Sequence, residues 1–477
     1  MKQLKEMLLY AMAVFMLKGL GFIMMPLVTR FLSQEQYGEL NVLVSMAAMV
    51  SLVLTLGLGE ALFRFTGQSS QQDTVMRQCL RLSLLSSGGF LCLSILFIEP
   101  LLALLPVSLA ALDVQLLMIN LAAGALLTVP YCYFRLTKQA GAFFMLSVGQ
   151  GVLQTGLSVW FLYQGLAVRG LMLSGAIASV AIMVVTLVYF RHYWFGARMA
   201  FNRTHYQYCF FIVCSSLAVY GLSGAENWLV AAALGKAQLA LFFAAAQFGL
   251  MISVAFEPFR MWWFAKRFAF EQNNSDLGAH YAVLGVQIGM LLALLMLIIA
   301  PWLMGWLLPA HFAPSLVYIP WFCLIMVARF HADLLNLGCF LKKSASVAMI
   351  INAVCAAILL PFGYWSLGEL GMMGLIWVMV GVHLLRAILF LVVSQSLTPL
   401  AYPFKSLVGS WLIFLTAFYF TITVIDERTL TEGFPANYVL LLGVLVVLKM
   451  ALLVLGYMRI LGRFYRAPAI EIKEVTL

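Results

Sequence analysis

The chain has 477 residues, 64% hydrophobic and only 10% charged, with a mean hydropathy of +1.01. Surface-to-volume scaling gives a water-soluble fold of this size no means of hiding so much apolar surface, so a soluble globular protein is excluded. The net charge of +10 sits in short loops between apolar runs, which argues for an orientation signal and against a nucleic-acid surface.

In chain order the runs long enough to cross a bilayer are 7–32, 39–63, 79–104, 112–135, 142–164, 167–190, 208–233, 238–263, 280–306, 314–337, 346–366, 369–396, 404–426 and 435–458. A span needs about 20 apolar residues at a rise of about 1.5 Å each. Backbone groups in lipid must be satisfied within the segment, so these runs predict helices, and the alternation of a barrel strand is absent. The expected fold is an all-α polytopic membrane protein with about 14 transmembrane helices. Two pseudo-symmetric six-helix bundles are expected, 1–207 with a cytoplasmic linker and 208–400, then two additional helices and a cytoplasmic tail in 401–477.

With the N-terminus in the cytoplasm, about twenty Lys and Arg fall in inner loops against three in outer loops, Arg169, Lys236 and Arg428. That bias puts both termini in the cytoplasm. The first run is too long for a cleaved signal peptide and lacks a small-residue cleavage site. The eight cysteines lie in or beside spans without a C-x-x-C pair and read as packing residues. No loop exceeds roughly twenty residues, which leaves no room for a soluble catalytic domain. H-E-x-x-H, G-x-S-x-G and Walker A patterns are absent, so the chain reads as a carrier or scaffold and not an enzyme.

The second and eighth spans end alike. Gly57-Leu58-Gly59-Glu60-Ala61-Leu62-Phe63-Arg64 and Val254-Ala255-Phe256-Glu257-Pro258-Phe259-Arg260 each place an acid one helical turn before a base. Glu60 with Arg64 and Glu257 with Arg260 read as structural ion pairs near the headgroups, in an arrangement of parallel repeats. Downstream of the sixth span, Arg191-His192-Tyr193-Trp194-Phe195 mixes cations with aromatics, as an interfacial belt does.

Ionisable residues inside the bilayer each need a reason. Lys18 lies roughly 16 Å into the first span, near the midplane. Arg329 and Asp333, four residues apart in the tenth span, read as a structural pair, with His331 on another face. Lys449, deep in the last span, is expected to snorkel. Lys18 and Arg386 have no acid within one turn of their own helices. They either find a partner on another helix or face a hydrated cavity that receives an anion. Glu226, in the outer part of the seventh span, is a candidate for H+ or Na+ coupling, and pairing with Lys18 is an equally simple reading.

The stretch Leu27-Val28-Thr29-Arg30-Phe31-Leu32-Ser33-Gln34-Glu35-Gln36-Tyr37-Gly38-Glu39 resembles the first loop of polysaccharide biosynthesis membrane proteins of the Wzx flippase type. These belong to the multidrug/oligosaccharidyl-lipid/polysaccharide (MOP) exporter superfamily, which also holds the MATE carriers and the lipid II flippase. Leu56 to Phe65 looks like that family's second helix. The second half departs from the pattern: Asn227 follows Glu226 where relatives carry a base, and Leu239-Ala240-Leu241-Phe242-Phe243 replaces an aromatic glycine-tyrosine pattern.

The resemblance implies a flippase that moves undecaprenyl-pyrophosphate-linked oligosaccharide across the bacterial cytoplasmic membrane by alternating access, for O-antigen, capsule or exopolysaccharide synthesis. Lys18, Arg64, Arg260 and Arg386 would then bind the diphosphate. No cofactor is expected beyond a coupling H+ or Na+. Membrane lipids, a polysaccharide polymerase and a chain-length regulator are the implied partners, and nucleic acid is not. The alternative is a MATE-like ion-coupled exporter of small organic molecules. That cargo expects acids in the core, and here bases outnumber them.

Overall fold

A computed structural model describes residues 2–65, 72–193, 203–341, 345–425 and 435–464. Of the outer-loop cations and belt aromatics named above, Arg428, Trp194 and Phe195 lie outside the described residues, as do the inner-loop cations Arg198, Lys342, Lys343, Arg466 and Lys473. Among the described residues the chain is helical without strands, and eleven stretches are long and apolar enough to cross a membrane. The protein is an all-α multi-pass membrane protein.

The helices are α1 (Lys2–Phe31), α2 (Gln34–Leu54), α3 (Leu58–Phe65), α4 (Gln72–Leu96), α5 (Ile98–Ala103), α6 (Ala111–Leu136), α7 (Ala140–Tyr163), α8 (Ala167–Tyr189), α9 (Arg203–Leu222), α10 (Glu226–Leu307), α11 (Ile319–Leu334), α12 (Gly338–Leu341), α13 (Ala345–Leu397), α14 (Phe404–Val424) and α15 (Ala436–Phe464). Large apolar side chains clothe their outer faces, as lipid contact requires; on α15, Leu440, Val447 and Met458 are all more than half exposed.

Three expected spans are interrupted. The run 39–63 starts earlier, at Gln34, because Ser33 caps α2. The Ser33 hydroxyl accepts from the Gln36 N–H, and the Gln36 side chain accepts from the Ser33 N–H, a reciprocal capping box. The same run then breaks after Leu54, where Leu56 (φ 52°) and Gly57 (φ 63°) turn left-handed before α3 begins. The run 79–104 divides at Phe97 between α4 and α5. The run 208–233 divides at a three-residue turn, 223–225, between α9 and α10. The loop expected at 234–237 is a sharp turn at Gly235 (φ 81°) within α10, and the break expected at 367–368 falls at Gly371 (φ 62°, ψ −152°), which joins two helices within α13.

The chain packs as two compact units. The first is Met1–Phe243 with Leu307–Pro309 and Gly363–Met372; the second is Ala244–Trp306, Ala310–Phe362 and Met373–Leu477. In the first, α6 packs on α4 and α8, α7 on α8, and α1 on α7. Its core, including Leu58, Leu62, Met76, Cys132, Phe134 and Phe190, ties α3 to α4 and α6. In the second, α14 packs on α11 and α15. Gly285 and Gly289 sit one turn apart in α10 against the rings of Phe259 and Phe330. This small-residue pair makes room for aromatic side chains from neighbouring segments.

Candidate functional site

The resemblance motif forms a clasp inside the first unit. Ser33 and Gln36 start α2, and Gln34 Nε2 donates to the Ala237 carbonyl at 3.0 Å. Lys236 Nζ meets Glu39 Oε2 at 3.3 Å, with both side chains mostly buried. Gly38 packs directly on the Lys236 carbonyl, leaving no space for a Cβ. The positive φ of Gly235 is what turns Lys236 and Ala237 towards α2. A lysine read from the sequence only as an outer-loop cation is thus bound to the motif.

Arg64 occupies the last turn of α3, with its guanidinium 4.5 Å from the centre of the Tyr208 ring and 5.9 Å from that of Phe65. Among the described residues Arg64 and Glu60 form no ion pair, which corrects that assignment. The aromatic faces of Phe65 and Tyr208 (centroids 5.5 Å apart) hold the cation instead. Glu60 is exposed in the first turn of α3, where a carboxylate favours the positive end of the helix. Arg135, at the end of α6, is held in the same way, 5.3 Å from the Phe63 ring and 5.9 Å from Phe143. The second copy of the echo differs, since Arg260 and Glu257 form a close ion pair.

Arg386 finds a partner on another helix, one of its two expected readings: its Nε donates to Asn352 Oδ1 at 2.8 Å and its Nη2 to Asp333 Oδ1 at 3.3 Å. Asp333 is thus reached from a helix other than its own, and Asn352 holds the guanidinium so that its second edge faces the carboxylate. Arg386 also lies 5.2 Å from the Phe390 ring centre. Lys449 does not snorkel. It is 1% exposed, and its Nζ has no hydrogen-bond partner among the described residues. The buried stripe of α15 runs Tyr438, Leu442, Leu445, Lys449, so the lysine falls at a core position by helical spacing. Its neighbour His331 donates Nδ1–H to the Val327 carbonyl (2.8 Å) and accepts from Trp411 Nε1 (3.0 Å), an arrangement that uses both ring nitrogens of a neutral imidazole.

Lys18 is half-buried on α1, whose Leu17 and Leu20 pack at Gly151 of α7. Glu226 is the first residue of α10, half-buried, and its Oε2 accepts from the Gly224 N–H. The helix break therefore puts this acid at a helix start, where it satisfies an otherwise unpaired donor. Among the described residues no cluster of His, Cys, Asp and Glu could hold a metal ion.

Sequence reading missed a polar seam through α6, α7 and α8, uncharged but for one ion pair. Tyr131 donates to Gln150 (2.8 Å), Gln150 to Ser179 (3.0 Å), and Ser179 to Asn120 (2.5 Å). Ser158 and Ser174 bond at 2.6 Å, and Arg169 Nε meets buried Asp113 at 3.2 Å. The signal was present as Ser147, Gln150, Gln154 and Ser158, which recur on one face of α7.

A model of the polysaccharide biosynthesis protein family matches residues 3–264, more than half of the chain. The chain belongs to this family. Among functionally curated proteins, none matches the sequence. The fold is shared with solved transporters. The lipid II flippase MurJ in an inward closed conformation aligns with a TM-score of 0.70 at 11% identity, over 96% of this chain and 99% of that one. An inward-facing multidrug resistance MATE family transporter of the MOP superfamily aligns at 0.57 and 15% identity, over 80% and 94%. A MOP superfamily transporter from Pyrococcus furiosus aligns at 0.55 and 12% identity, over 82% and 95%.

Proposed function

We propose that this member of the polysaccharide biosynthesis family is a flippase for undecaprenyl-pyrophosphate-linked oligosaccharide in the bacterial cytoplasmic membrane. It moves its cargo from the cytoplasmic to the periplasmic leaflet by alternating access and catalyses no covalent step. The observation that carries the reading is Arg64. In a chain of this family, a guanidinium held on Tyr208 and Phe65, with no carboxylate paired to it among the described residues, keeps its charge available for an anion. Lys18 is proposed to assist it. Arg260 and Arg386, already bound to Glu257 and Asp333, have a weaker claim to direct contact. The twelve-plus-two repeat organisation, a coupling role for Glu226, cytoplasmic termini, and a polymerase and chain-length regulator as partners belong to the same proposal.

The test is complementation of a flippase-null strain. Lys18→Ala and Arg64→Ala should each abolish surface polysaccharide while leaving protein abundance unchanged. Normal polysaccharide in both variants would discard the reading, and drug resistance conferred without polysaccharide rescue would point to a small-molecule exporter.

A further inference from the structure

The polar seam of the first unit contains more hydrogen-bonding capacity than its helices use. Ser179 donates to Asn120 Oδ1, which leaves the Asn120 Nδ2 as a donor. That amide lies over Gly175, where a Cβ would stand 2.9 Å from Asn120 Nδ2 and 3.4 Å from Gln154 Nε2. Two primary amides from different helices therefore converge on the space that this glycine leaves open. No hydrogen bond among the described residues takes up Asn120 Nδ2 or either end of the Gln154 amide. Neither amide is a sealed orphan, since both residues are half-buried.

Side-chain amides that merely glue membrane helices together spend their donors on the neighbouring helix. Open donors against hydrocarbon are costly, so these two call for a polar occupant. The chemistry of that occupant follows from the cluster. Asn120, Gln150, Gln154, Ser179 and Tyr131 carry no formal charge, which makes a poor site for a diphosphate or a cation. They offer amide N–H donors, an amide oxygen acceptor and, at the far end of the chain of hydrogen bonds, an aromatic ring. Hydroxyl, ether and acetamido groups match that set.

Resting on the flippase reading above, we propose that Asn120 and Gln154 over Gly175, braced by Ser179, Gln150 and Tyr131, form the subsite for the uncharged glycan of the cargo. The cations serve the diphosphate, and these amides serve the sugar.

The experiment uses the full chain in proteoliposomes with two probes, undecaprenyl diphosphate bearing the complete oligosaccharide and the same diphosphate bearing a single sugar. Asn120→Leu and Gln154→Leu should each slow movement of the oligosaccharide probe about three- to tenfold, the worth of a lost hydrogen bond, and leave the single-sugar probe within about twofold. Gly175→Ala removes no donor but places a methyl among the amides, and should reproduce the selective defect even if a leucine variant fails to fold. Lys18→Ala should impair both probes alike. Equal loss for both probes in the amide variants, or no loss for either, overturns the subsite alone. Wild-type protein that moves neither probe overturns the flippase reading and the subsite with it.

Discussion

The carbonyl oxygen of Lys236 fills the space that a Cβ on Gly38 would need, while the ammonium of the same lysine reaches Glu39 at 3.3 Å. The two residues lie far apart in sequence, yet one binds the other's segment through backbone and side chain together. Gly38→Ala should therefore destabilise the protein by about 1–3 kcal/mol, as overpacking does. Ser33→Ala should cost about 1 kcal/mol through loss of the cap. Melting temperatures of the detergent-purified variants measure both, and a wild-type melting temperature for Gly38→Ala would show that the approach is not as close as described.

Arg386 and Asp333 differ in exposure, with side chains 14% and 40% accessible. Removing the acid strands the more buried partner, whereas removing the arginine leaves a carboxylate that water can reach. Asp333→Asn should thus cost more than Arg386→Met, each on the order of 1–3 kcal/mol, with the double variant less than the sum. A double-mutant cycle on thermal stability reads this directly. Additive losses would mean that the two groups do not interact.

Lys449 occupies a core position with no hydrogen-bond partner among the described residues. Lys449→Met keeps the unbranched shape and removes the buried polar end, so it should raise stability, by about 1 kcal/mol or more. A lower melting temperature would show that the amine has a favourable partner.

Arg64 rests on Tyr208 and not on Glu60. Glu60→Gln should leave polysaccharide export unchanged, while Tyr208→Leu should impair it and Tyr208→Phe should not, because the ring face and not the hydroxyl holds the cation. Surface polysaccharide in the complemented null strain separates the three. An export defect in Glu60→Gln with normal export in Tyr208→Leu would reverse the assignment.

Side-chain spacing within one helix was a fair guide to neighbours and a poor guide to partners. Glu257 and Arg260 pair as their three-residue spacing suggests, but Glu60 and Arg64, at four residues, do not. The difference is the aromatic pair Phe65 and Tyr208 beside Arg64, one of them from α9. Asp333, with Arg329 one turn away on its own helix, also meets Arg386 from α13, a contact that no spacing along its helix announces. The amides of Asn120 and Gln154 sit on separate helices, and no local pattern joins them at Gly175.

What the residues determined unaided was the solvent and the architecture. Long apolar runs in lipid can satisfy their backbone only as helices, and the first-loop motif carries its own capping box. Tertiary structure alone decided where those helices break and which charge each cation meets. In a medium without water to compete, a polar group takes the nearest partner in space, and nearness across helices is not encoded by distance along the chain.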